Sequence, residues 1–126
     1  MAYIGWKLPE WEKLSLLETF APVYPDVVAH HVTLDFGKHT KTMDLPTAME
    51  GRVVGIADDG KGIQALVVEI EGSTERPAPL GGTYHITWSM DEEAGYSPKM
   101  SNDVIAEGWT PVAPVTITLV PTFFRY

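Results

Sequence analysis

Cysteine is absent from the 126 residues, which excludes a disulfide framework and a thiolate metal site and gives no sign of an oxidising compartment. Basic residues are few: nine Lys and Arg stand against 17 Asp and Glu, for a formal charge of −8. Binding to long nucleic acid draws most of its free energy from cations that displace counterions along the phosphate backbone, and an acidic chain lacks that source. A small anionic ligand needs only a few local donors, so the charge favours a nucleotide or short oligonucleotide over polymeric RNA or DNA. Long apolar runs are also missing. The opening Met1-Ala-Tyr-Ile-Gly-Trp-Lys-Leu8 has neither the basic region nor the apolar core of a secretory leader, and no later stretch approaches membrane-spanning length. The expectation is a soluble, cytoplasmic protein with no membrane contact.

What is present is the composition of a folded chain: 44% apolar and 21% charged residues, with four Trp, five Tyr and four Phe. That suffices for one domain over residues 1–126. Residues 2–8 alternate loosely and predict a first strand ended by Pro9, after which Trp11, Leu14, Leu16, Leu17 and Phe20 recur at helical spacing. Val27 to Phe36 is β-branched at alternate places and predicts a second strand, with Val32, Leu34 and Phe36 on one face and His31, Thr33 and Asp35 on the other. Residues 38–50 read as an exposed loop. Arg52–Ala57 and Ile63–Ile70 predict a hairpin around Asp58-Asp59-Gly60-Lys61-Gly62, followed by a loop over 71–82. Thr83–Met90 predicts a strand with His85, Thr87 and Ser89 on one face and Ile86, Trp88 and Met90 on the other. Ser97-Pro98 can start a short helix with Met100, Val104 and Ile105 inward and Gly108 at its end, and Val115–Phe123 supplies a last strand. The fold class is α+β, with two small sheets or one curved sheet and two outer helices.

Two of the four histidines are followed two positions later by threonine, in His31-Val-Thr33-Leu34 and His85-Ile-Thr87-Trp88. Cleaving a phosphodiester needs a base for the attacking hydroxyl and an acid for the leaving oxygen. Two imidazoles can do both, because a reference pKa near 6.5 lets one be neutral while the other is protonated. A threonine two residues on projects to the same strand face, where its hydroxyl can donate to a non-bridging phosphate oxygen. The expected catalytic pair is His31 and His85, with Thr33 and Thr87 as phosphate ligands.

A strand, a helix, His31-Val-Thr-Leu-Asp-Phe-Gly37 and later His85-Ile-Thr-Trp-Ser89 together resemble the two-histidine (2H) phosphoesterase superfamily, which includes RNA 2′,3′-cyclic phosphodiesterases and 2′-5′ RNA ligase-like proteins. The resemblance implies a compact bilobal α+β fold with pseudo-twofold symmetry, a central cleft, no metal, and a histidine and a threonine from each lobe. The short stretch between the motifs, with Gly81-Gly82 where larger members place a helix, implies that the elaborations holding long RNA are missing. The overall brevity is similar to small phage-encoded members, some of which resemble enzymes that destroy cyclic oligonucleotide signals of bacterial immunity.

The remaining residues have plainer readings. His30 precedes Val32 at i+2 and belongs to the apolar face, where it packs or orients; His39 lies in a loop and is exposed. Trp11, Phe20, Trp88 and Trp109 are expected in the core. Tyr3, Phe36, Tyr84 and Tyr96 are candidate base-stacking residues, and Ser89 joins them as a nucleotide contact. Lys38, Lys41, Arg76, Lys99 and Arg125 read as surface charges, of which one or two could reach a second phosphate, Lys38 foremost. No helical His-x-x-x-His pair or carboxylate triad is present, and adjacent histidines on a strand should point apart, so no metal and no other cofactor is expected.

Overall fold

Residues 1–125 are described in the computed structural model, and their strands divide between two antiparallel sheets. The order along the chain is β1 (Ala2–Lys7), α1 (Glu10–Thr19), β2 (Asp26–Val27), β3 (His31–Phe36), a 3-10 turn (Lys38–Thr42), β4 (Glu50–Asp58), β5 (Ile63–Glu69), β6 (His85–Met90), a second 3-10 turn (Pro98–Met100), α2 (Ser101–Ala106), β7 (Thr110–Thr118) and β8 (Val120–Arg125). The three-stranded sheet has the order β3-β1-β8 and the five-stranded sheet β2-β6-β5-β4-β7. The class is α+β, as the sequence led one to expect. Among the described residues no helix is long and apolar enough to cross a membrane.

One buried cluster, built on Trp6, Leu16, Val32, Leu66, Ile86, Trp88 and Leu119, joins the two sheets to α1. A second, built on Ala65, Val67, Met90, Val104 and Ile105, seats α2 on the opposite face of the five-stranded sheet. β5 is therefore covered on both faces, which explains its unbroken apolar run. Both deep indoles are satisfied: Trp6 Nε1 donates to the Ala48 carbonyl and Trp88 Nε1 to that of Phe20, each at 2.8 Å.

The chain passes between the sheets at two places, and both correct the sequence-based strands. Val27–Phe36 is not one strand. Asp26 and Val27 pair with Met90 and Ser89 of β6, and Val28 and Ala29 go on to donate to the Trp88 and Thr87 carbonyls at 2.9 and 3.0 Å. Ala29, fully buried, then turns with φ 43°, a left-handed conformation costly for a residue with a Cβ. The strand resumes at His31 in the other sheet. Likewise Val115–Phe123 is two strands: β7 ends at Thr118, buried Leu119 makes the passage, and β8 begins at Val120. Pro111 and Pro114 are tolerated because β7 is the sheet's edge.

Helix α1 is turned from its expected setting. Trp11 and Leu14 are exposed, Trp11 at 61%, while Glu12 and Leu16 face inward. The reason is polar: the Glu12 carboxylate accepts the Thr118 N–H at 2.5 Å, just before the passage into β8. Trp109 is not core either. It lies on Gly55, where a Cβ would come within 2.1 Å of the indole. Phe20 is partly buried and Trp88 fully buried. The expected loop at 38–50 opens with the 3-10 turn, whose Thr40 is buried and donates to the Gly37 carbonyl at 2.6 Å.

Candidate functional site

The two His-x-Thr segments occupy strands of different sheets, and the same irregularity follows each. In the β1–β3 ladder Gly5 pairs with Thr33 and Ile4 with Asp35, so Leu34 is an extra residue. In the β5–β6 ladder Ala65 pairs with Thr87 and Gln64 with Ser89, so Trp88 is extra. A bulge directly after the threonine reverses the facing of everything beyond it. Asp35 and Ser89, expected beside the histidines, are turned to the buried side. Asp35 accepts from the Phe36 N–H at 2.8 Å and bonds His39 Nε2 at 2.9 Å; Ser89 donates to Gln64 at 2.7 Å and accepts the Tyr24 N–H at 3.2 Å. Phe36, expected on the opposite face, joins His31 and Thr33.

Where the sheets adjoin, with β3 close to β6, a cavity of about 770 Å³ is lined by His31, Thr33, His85 and Thr87 together. Strand β2 accounts for this meeting. It is zipped to the β6 backbone opposite Thr87 to Met90, so the kink at Ala29 delivers His31 beside the second motif. Four polar side chains distant in sequence thus share one wall.

His85 is oriented by its own strand, Nδ1 lying 2.8 Å from the Thr83 carbonyl. A carbonyl can only accept, so Nδ1 carries the proton and Nε2 is left for a ligand. His31 is held differently. Its Nδ1 lies 3.0 Å from Nδ1 of His30, and its ring sits 5.1 Å from that of Tyr3 and 5.2 Å from that of Phe124. Adjacent histidines do not point apart here, because β3 begins only at His31 and the kink frees His30 from the alternation of the strand. Burial pushes His31 down to about 4, with smaller contributions from His30 and His85. Burial also lowers His85, opposed by the Thr83 carbonyl and assisted by Arg76. Both rings are therefore neutral at pH 7.

Thr87 is the more constrained threonine. Its hydroxyl donates to the Pro98 carbonyl at 3.4 Å and lies 2.8 Å from Ser101 Oγ, so Ser101 is the donor of that pair. Rotating the weak, long Pro98 bond away would aim the Thr87 proton into the cavity while Ser101 holds the oxygen.

No family model, curated protein or solved structure matches the chain.

Of the expected base contacts, Tyr3 and Phe36 line the cavity. Their rings are stacked 6.0 Å apart, and Phe124 continues the row 4.6 Å beyond Tyr3, across all three strands of the smaller sheet. The others lie elsewhere. Tyr84 is 7% exposed and meets Trp6 edge-on in the core. Tyr96 covers Gly62 at the hairpin turn, Ser89 faces the opposite side of its strand, and Lys38 stands on the 3-10 turn outside the cavity. Arg76 and Lys99, two of the charges that could reach a second phosphate, line the cavity, and the pattern reading missed Leu80, Ser97 and Asn102 there, and Ser101, bonded to Thr87. These come from loops and the start of α2, where no periodicity marks a facing. His39 is exposed, as expected, and bonds Asp35. Among the described residues no group of three His, Asp or Glu is placed to hold a metal ion.

Proposed function

We propose that the protein is a metal-independent phosphodiesterase of the two-histidine phosphoesterase type, cleaving a nucleotide phosphodiester such as a 2′,3′-cyclic phosphate, a cyclic oligonucleotide or a 2′-5′ linkage. The observation that carries this reading is the convergence of two His-x-Thr segments, one from each sheet, on a single cavity. Its volume of about 770 Å³ falls within the range of small-ligand sites. The aromatic row at Tyr3 and Phe36 supports a nucleotide as the ligand, because a base needs a flat apolar partner.

In this mechanism one ring removes a proton from water as the water oxygen bonds to phosphorus. The other ring protonates the leaving ester oxygen as its bond to phosphorus breaks. Thr33 and Thr87 donate to the non-bridging oxygens, where negative charge accumulates. His31 suits the base, since burial holds its ring neutral down to about pH 4. His85 suits the acid, because the Thr83 carbonyl at Nδ1 favours its charged form. A phosphodiester anion arriving between the rings favours the protonation that burial opposes.

The test is a panel of 2′,3′-cyclic nucleotides, 2′-5′-linked dinucleotides and cyclic oligonucleotides incubated with excess chelator and resolved by chromatography. Turnover of at least one member is expected, and its loss in both His31→Ala and His85→Ala with the fold intact. Full turnover in both variants would sink the dyad, and a ligand returned unchanged would mark a binding module instead.

A further inference from the structure

Two chemically distinct groups line the cavity. Tyr3 stacks with Phe36 and stands beside His31, whereas Arg76, Asn102 and Lys99 form a second group linked by hydrogen bonds, and all of them line the cavity with the His-x-Thr segments. Arg76 is built into place. Its Nε donates to the Gly81 carbonyl at 2.7 Å, one terminal nitrogen donates to Asn102 Oδ1 at 3.2 Å, and its own N–H donates to the Gly82 carbonyl at 2.9 Å. Gly82 has φ +80°, and a Cβ there would come within 2.7 Å of the guanidinium.

Among the described residues this guanidinium has no carboxylate partner. The ion pairs among the described residues are His39–Asp35 and Arg52–Glu69, and the Asp35 carboxylate acts on Arg76 only from beyond ion-pair distance. A half-buried cation held by neutral groups is costly unless an anion completes it. Five guanidinium N–H groups are available, and the protein occupies only some of them. Arginine's planar fork matches a phosphate, and Lys99 on the same side adds a second positive charge.

We infer that Arg76, with Lys99 and Asn102, forms a second phosphate subsite, so that the ligand is a nucleotide with at least two phosphates: one between the histidines and one at Arg76. The inference rests on the phosphodiesterase reading for the first phosphate. It narrows the substrate to oligonucleotides, linear or cyclic, or 5′-phosphorylated ends, over a simple nucleoside 2′,3′-cyclic phosphate.

The test is calorimetric titration of the full chain with adenosine 3′-monophosphate and adenosine 3′,5′-bisphosphate at pH 7. The bisphosphate should bind about tenfold tighter or better, as expected for a charge-assisted contact. Arg76→Gln should bring the ratio below about threefold while changing monophosphate affinity little. Lys38→Gln, outside the cavity, should leave the ratio intact. Equal affinities in the unaltered protein, or an unchanged ratio in Arg76→Gln, overturn the subsite. If Arg76→Gln melts early, Lys99→Gln on the exposed rim serves in its place, and an undiminished ratio there counts against the proposal. Binding is read without turnover, so the readings separate: a bisphosphate preference without cleavage of any diester refutes the enzyme and keeps the subsite, whereas cleavage without preference does the reverse.

Discussion

His31 and His85 share a residue type, a motif and a cavity, yet their surroundings make them unequal. Burial lowers both, His31 to about 4, so at pH 7 the free protein holds less of the singly protonated form that the proposed mechanism requires than an ordinary imidazole pair would. Lowering the pH from 8 should therefore raise kcat/KM until His85 is protonated, below its ordinary 6.5, and activity should fall again as His31 takes up its proton near 4. The expected outcome is a bell with its maximum on the acid side of 6.5; a plateau from pH 7 to 9 would contradict it. Ser101 tests the proposed phosphate ligands. Its buried hydroxyl steadies Thr87 Oγ1 at 2.8 Å, so Ser101→Ala should cost about 1 kcal/mol of stability. It should also cost about tenfold in kcat, with little change in KM, as expected for a contact that matters when charge develops. Equal losses in kcat and melting temperature across Ser101→Ala and Ser101→Thr would mark a structural role alone.

At the scale of strands, the two bulges decide which residues face the cavity. Each inserts one residue immediately after the threonine, Leu34 in β3 and Trp88 in β6. The first depends on Gly5. A Cβ there would lie 2.0 Å from the Val32 carbonyl oxygen, a backbone atom that cannot move without carrying Thr33 with it. Gly5→Ala should cost about 1–3 kcal/mol or more, the range for an overfilled core, read from denaturant midpoints. It should also remove activity at temperatures where circular dichroism still reports a folded protein. Activity retained at full stability would show that the close approach is dispensable. The strand faces were legible up to each threonine and wrong beyond it, because period-two alternation holds only while the ladder is regular. Nothing in Leu34 or Trp88 announces an extra residue. Gly5 is the one signal present, and it lies in the partner strand, where it gains meaning only once the pairing is known. Helix α1 teaches the same point. Its apolar stripe pointed Trp11 and Leu14 inward, but the partly buried N–H of Thr118 drew Glu12 to that face instead.

For the molecule as a whole, a cavity holding two neutral histidines sets a limit on acid stability. The sign follows from where protons bind. Between pH 6.5 and about 4 an unfolded chain protonates His31 while the folded one does not, so lowering the pH through that window favours unfolding. Integrated over the window the effect is roughly 3 kcal/mol. Unfolding free energy should therefore fall from pH 7 to 4, and His31→Gln should fall less steeply by about that amount; parallel curves would refute the assignment. The formal charge of −8 acts over the same scale. It makes the surroundings unfavourable to polyanions, while the few cations at the cavity, Arg76 and Lys99, remain available to a small anion.

The sequence alone determined the α+β class, the hairpin at 58–62, the short helix after Ser97-Pro98 and the pairing of each histidine with its threonine. These depend on local periodicity, turn chemistry and a two-residue spacing that survives in any extended strand. Tertiary structure decided that the two motifs meet, through the β2 segment bound to the backbone of β6 and the turn at Ala29. It also decided which neighbours they meet. Tyr3, Phe36 and Arg76 line the cavity, and Tyr84, Ser89 and Tyr96 do not, because bulges, kinks and loop clamps arise between segments and leave no periodic trace in either one.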